Sequence, residues 1–276
     1  MIRVARRSML ALSAVAVIAG SSSCQLFRRA SDTSAEPSRR APSAGAVTTS
    51  ASFFSALQNR YGGSWYRTLT FTGENTRWDT QGRATRNRFA EYVSVPGRLR
   101  IEFLPWSNRS GVLFESGRVH VFDNGQLLDS RSQRHPVLLL TADIYAMPSE
   151  SALSALRDLG VATQRFRQTT WQRRPIYVIG AERGDTTSTQ VWFDAETFIP
   201  LRWIQSERTG GQLTVGDTRF LNYRRVGGYP IPHEIMGYRD GRRALREVYS
   251  GVRVNPQLSA QLFDPARWRD APRPSN

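Results

Sequence analysis

The sequence predicts a mainly β, α+β fold: one curved antiparallel sheet of about eleven strands, with helices held against its concave face. Three observations predict it. Short alternating apolar runs follow one another, separated by Gly, Asn and Asp turn residues. Helical spacing occurs only near the start and in the middle of the chain. No repeat of 20–50 residues divides the sequence, which excludes propellers and solenoids. Strands joined by short turns form a meander, and a wide meander must curl to bury one face.

Order is expected from about Ala51. Phe53, Phe54, Leu57 and Tyr61 recur at helical spacing, Ser50 or Ser52 serves as the cap, and Gly62-Gly63 ends the helix. Strands follow over 64–73, with Trp65, Leu69 and Phe71 on one face, then over 83–95 after a turn at Thr80-Gln-Gly82. The run 98–104 alternates Leu99, Ile101 and Phe103 with Arg100 and Glu102. Residues 111–115 and 118–123 read as a hairpin about Ser116-Gly117, and Asn124-Gly125 as a tight turn.

The alternation stops at 136–146, an apolar, helix-compatible stretch. Residues 149–159 form a second helical segment, capped by Ser149 and stopped by Gly160. Strands resume over 161–171, 175–182, 187–194, 199–207, 213–225, 229–239 and 244–254, and 258–262 closes the chain with a helical turn.

Composition narrows the function classes. The 276 residues carry a net charge of +15, and every basic residue is arginine. Arginine grips phosphate bidentately, so anionic lipid headgroups are an expected partner. The arginines are scattered and form no basic helix or RNA-binding motif, so nucleic acid is not expected. A single cysteine excludes internal disulfides and cysteine-built zinc sites.

That cysteine, Cys24, stands behind a basic stretch (Arg3, Arg6, Arg7) and a short apolar run over 9–19. This order reads as a secretory signal over 1–23, too short to cross about 30 Å of hydrocarbon. Ser22-Ser23-Cys24 resembles the bacterial lipoprotein signal, although Ser21 stands where leucine is usual. The resemblance implies an acylated Cys24 anchoring the protein at the periplasmic face of the outer membrane; without acylation it is a soluble periplasmic protein. Arg6-Arg7 also resembles a weak twin-arginine signal. Residues 24–50, rich in Ser, Ala, Pro and Arg, read as a disordered tether, and 51–276 as a single domain.

Within that domain, Ser94-Val-Pro-Gly-Arg-Leu-Arg-Ile-Glu102, Val112–Phe122 and Val191–Trp203, in that order, resemble the lipoprotein-carrier (LolA/LolB-like) superfamily. Arg224-Arg-Val-Gly-Gly-Tyr-Pro-Ile-Pro232 and Phe263-Asp-Pro265 fit the same scheme. The resemblance implies an unclosed β-barrel whose helices plug an apolar cavity that binds acyl chains of lipoproteins or phospholipid. It implies no cofactor.

The inward face of the sheet supplies the cavity candidates: Trp65, Leu69, Phe71, Leu99, Ile101, Phe103, Val112, Phe114, Val119, Val121, Val191, Phe193, Leu201 and Trp203. Leu138, Leu139, Leu140, Ile144, Tyr145 and Met147 are candidates for a movable lid hinged at Met147-Pro148. Enzyme chemistry finds little support. His120, His135 and His233 lack metal-ligand spacing, and no Gly-x-Ser-x-Gly elbow accompanies His120 and Asp123. The sequence therefore predicts a non-enzymatic envelope lipoprotein that holds an acyl chain for sorting or transfer. The alternative is a sensor or scaffold that docks another envelope protein.

Overall fold

In the computed structural model, which describes residues 47–273, thirteen antiparallel strands form one sheet. The first half comprises β1 (Thr68–Trp78), β2 (Ala84–Ser94), β3 (Arg98–Phe103), β4 (Gly111–Glu115), β5 (Arg118–Asp123) and β6 (Gln126–Ser132). The second comprises β7 (Phe166–Trp171), β8 (Arg174–Ile179), β9 (Gln190–Asp194), β10 (Pro200–Thr209), β11 (Gln212–Val226), β12 (Tyr229–Arg239) and β13 (Arg242–Val254). Each half is a meander, and the halves join where β1 pairs with β13. β6 and β7 end as the two free edges, so the barrel is unclosed, as expected.

The count is thirteen rather than about eleven. β6 carries no alternating apolar signal; its Leu127 and Leu128 are exposed, and backbone pairing to β5 makes it a strand. β1 begins at Thr68 and runs on to Trp78, so Trp65 precedes the strand on which it was expected.

The helices lie on the concave side. α1 (Ser50–Tyr61) is capped by Thr49, not by Ser50 or Ser52. Thr49 Oγ1 accepts the Ser52 amide at 3.1 Å while Ser52 Oγ accepts the Thr49 amide at 3.0 Å, a reciprocal capping box. Order thus starts before Ala51, and Val47 is already buried in the core. The expected signal peptide, Cys24 and the tether up to residue 46 lie outside the described residues.

α2 (Pro136–Thr141) and α3 (Ser149–Asp158) connect β6 to β7. His135 Nδ1 caps α2 by accepting the Leu138 amide at 3.2 Å. Ser149 is not the cap of α3: Pro148 holds that position and Ser149 is already helical. Gly160 follows the helix at φ +82°, a conformation that strains any side chain, and donates to the Arg157 carbonyl.

The convex face of the first half is covered by the C-terminal segment. Leu262, Phe263, Trp268 and Ala271 pack with Ala90, Tyr92, Leu113 and Phe122, and the Trp268 and Phe122 rings stack at 4.2 Å. Arg100 is buried in this layer. It donates to Glu102 Oε1 at 2.6 Å, to the Leu262 and Trp268 carbonyls, and lies 4.0 Å from the Trp268 ring. Glu102 Oε2 also accepts from Arg273 at 2.6 Å.

Candidate functional site

The two halves of the concave side are filled differently. Over β8–β10, Phe53 of α1 stands 4.6 Å from Phe193 and 5.3 Å from Phe198, with Tyr177 at 5.7 Å. Such aromatic contacts, with Val191, Ile179 and Trp203 fully buried beside them, leave this half packed. Over β1–β5, β12 and β13 the sheet instead surrounds a cavity of about 120 Å³.

Ten candidates read from the sequence come together on that wall. Leu69 and Phe71 lie on β1, Leu99, Ile101 and Phe103 on β3, Val112 and Phe114 on β4, Val119 and Val121 on β5, and Leu138 on α2. Alternation along each strand accounts for this: the cross-strand rows Leu69–Val93–Leu99–Phe114–Val119 and Ile101–Val112–Val121 all face one side.

The other ten candidates, Leu140 and Met147 among them, are elsewhere. Trp65 and Tyr145 stack on each other at 3.9 Å in the core, because Trp65 precedes β1 and lies against the α2–α3 connection. Leu139 and Ile144 are completely buried in the core, on the sides of their helical turns away from the cavity. Val191, Phe193 and Trp203 lie in the packed half, where α1 fills the space a ligand would need. Leu201 belongs to the opposite face, with Ile176, Val178 and Ile199. The register of β10 against β9 shifts between Pro200 and Arg202, so a bulge at Leu201 turns it outward while Trp203 stays inside.

Several wall residues carried no such signal. Phe89 lies across from Gly73, where a Cβ would come within 2.3 Å of its ring; the glycine lets the ring lie over β1. Ile231, Ile235, Leu245 and Tyr249 come from β12 and β13, which sequence distance separates from β1 and β2. Polar groups also face in. Glu91 sits opposite Phe71 and Ile101, Glu247 opposite Asn75 and Ile235. Burial, reinforced by the charge of Glu247, pushes the Glu91 carboxyl well above the ordinary range. Burial raises Glu247 too, against the hydrogen bonds from Tyr249 and Asn75 and the charge of Arg77.

α2 and the residue before it close one end of the cavity with His135, Val137, Leu138, Thr141 and Ala142, and Tyr66 anchors it by donating to the Thr141 carbonyl at 3.2 Å. Burial lowers the His135 pKa to about 4, so its ring is neutral and free to accept from the helix. Towards the other end the β1–β2 hairpin is exposed over residues 79–88 and Arg77 lines that side, while Arg131 of β6 stands opposite Val119, in the row of Leu69.

The sheet, its unpaired edges and its plugged concave side are the architecture that the LolA/LolB-like resemblance implied. The fold is shared with a known structure, and two others are similar to this chain. A DUF1329 family protein from Desulfovibrio piger aligns with a TM-score of 0.53 at 12% identity, over 78% of this chain and 95% of that one. A domain from Vibrio parahaemolyticus, named for outer membrane lipoprotein sorting, aligns with a TM-score of 0.49 at 12% identity, over 78% and 97%. A LolA superfamily protein from Nitrosomonas europaea gives 0.49 at 14% identity, over 79% and 98%. No family model and no curated protein matches the sequence.

The histidines do not assemble a reaction centre. Ser110 Oγ donates to Asp123 at 2.6 Å, while His120 Nδ1 is buried without a hydrogen-bond partner. His233 Nδ1 lies 3.0 Å from the Ile231 carbonyl. Among the described residues no three His, Cys, Asp or Glu side chains gather as metal ligands, and no helix is long and apolar enough to cross a membrane.

Proposed function

We propose that this protein is a non-enzymatic envelope protein that holds an acyl chain of a lipid or lipoprotein in the cavity between β1–β5, β12 and β13. One observation carries the reading: α1 fills the second half of the concave face, and the space left over the first half, closed at one end by α2, is walled chiefly by Leu, Ile, Val and Phe side chains. A methylene entering such a space gains about 0.8 kcal/mol, so affinity for a chain needs no reactive group. The signal-like start of the chain supports an envelope location with Cys24 as the anchor, and the arginine surplus attracts anionic headgroups.

The test is mass spectrometry of lipid extracted from the purified protein, together with titration of an apolar fluorescent probe such as N-phenyl-1-naphthylamine. Co-purified acyl lipid or saturable probe binding, competed by fatty acid, is expected. A protein that carries no lipid and binds no probe refutes the proposal and leaves the fold as a docking scaffold.

A further inference from the structure

The cavity is not uniformly apolar, and its polar groups share one property. Glu91 has no hydrogen-bond or ion-pair partner among the described residues, and its carboxyl opens onto the cavity between Phe71 and Ile101. Asn75 is 5% exposed; its amide nitrogen donates to Glu247 Oε1 at 3.3 Å, but its carbonyl oxygen is buried with no partner. The second Glu247 oxygen is taken by the Tyr249 hydroxyl at 3.0 Å. Of these acceptors, Glu91 is the group open to the cavity, since the Asn75 oxygen has no exposed surface, and the Glu91 carboxyl presents an acceptor oxygen whether or not it carries its proton. An acceptor lined by apolar side chains and left without a donor is unfavourable, so a ligand that donates there is favoured.

Position along the strands gives the ligand's layout. Leu69, Val93 and Leu138 lie towards α2, Glu91 and Asn75 come next along the wall, and Arg77 lies towards the exposed hairpin. Arg77 and Arg131 are the cationic groups on this wall, and Arg131 is ion-paired with Asp129.

We propose that the cavity takes a chain whose apolar tail lies beyond a hydrogen-bond donor, an amide N–H or an amine, seated on the Glu91 carboxyl. A chain with no donor, such as an ester, leaves that acceptor oxygen unpaired. The inference rests on the acyl-binding reading and narrows it from any chain to a donor-bearing one.

The experiment is competition against N-phenyl-1-naphthylamine on the full chain by N-methyldodecanamide, methyl dodecanoate and dodecylamine, matched in chain and differing in the donor. In the wild type the amide is expected to bind at least as tightly as the ester, although amides are the costlier group to desolvate. Glu91→Leu removes the acceptor, and the amide-to-ester affinity ratio is expected to fall by about tenfold or more, with probe binding kept. Glu91→Gln keeps an acceptor and cannot ionise: it retains the amide preference if the natural donor is an amide, and loses a preference for dodecylamine if the donor is a cation. An amide-to-ester ratio equal in wild type and Glu91→Leu overturns the inference while the acyl-binding reading stands. Absence of all binding, probe included, overturns both.

Discussion

Filling the cavity is the sharpest test of what the unfilled half of the sheet is for. Val121 lies on β5 opposite Val112, with its side chain on the cavity wall. A cavity of about 120 Å³ accommodates about five carbons, in proportion to the benzene held by an apolar cavity of ~150 Å³. At ~0.8 kcal/mol per methylene this amounts to about 4 kcal/mol, roughly a thousandfold in affinity. Val121→Trp puts an indole into that space and should cost a hundredfold or more in the affinity for a saturated twelve-carbon chain, because most of that burial is then denied to the ligand. In a chain-length series the wild type should gain about fourfold per added methylene, and the variant should flatten early. Because the indole enters existing space, Tm should stay within about 2 °C of wild type, whereas forcing it into a packed core costs ~1–3 kcal/mol, several degrees for a domain of this size. Isothermal titration of the chain series and calorimetric melting give both readouts. Unchanged affinity, or a Tm loss above about 4 °C, would refute the assignment of this space to a ligand.

Other outcomes follow from the buried polar groups. Glu102→Gln leaves Arg100 buried without its countercharge and should lower stability by about 3–5 kcal/mol in urea, more than the paired replacement Arg100→Met/Glu102→Leu; the reverse order contradicts the buried-pair argument. His135 titrates at about 4 when folded and near 6.5 when unfolded, so its contribution is complete above pH 6.5 and is lost as pH falls towards 4. His135→Asn keeps a capping acceptor, and its stability should fall less than that of wild type across this window; equal slopes by urea titration argue against it. Asp143, which accepts the Gly97 amide at 2.9 Å, has its pKa raised by burial to about 6. A raised carboxyl pKa favours the folded state below about pH 4 and penalises it as pH rises through 6, by up to ~3 kcal/mol. Asp143→Asn should therefore be more stable than wild type at pH 8 and equal to it at pH 4, as thermal melts at the two pH values would show.

Legibility differed along the chain for physical reasons. Leu99, Ile101 and Phe103 could be assigned to one face because a strand of period two sorts its side chains without reference to the rest of the fold. The same rule misplaced Leu201, where a single extra residue in β10 reverses the alternation and leaves no mark in the composition. It also missed β6, a strand without an alternating apolar face that backbone pairing to β5 and the Arg118 side chain on Ser130 hold in the sheet.

The residues by themselves determined the antiparallel class, the positions of α1 and the central helices, and the sign of the surface, since these follow from local periodicity, turn chemistry and charge. Only the tertiary structure decided which half of the inward face is hollow. Phe53 and Phe54 settle over β8–β10 and consume that half, while the pairing of β1 with β13, over 170 residues apart in the chain, brings Asn75 against Glu247 and Tyr249 near both carboxyls. Glu91 carries no mark in the sequence that sets it apart from other strand charges. Its unusual place beside an apolar cavity arises from the curl of the sheet, which no local pattern encodes.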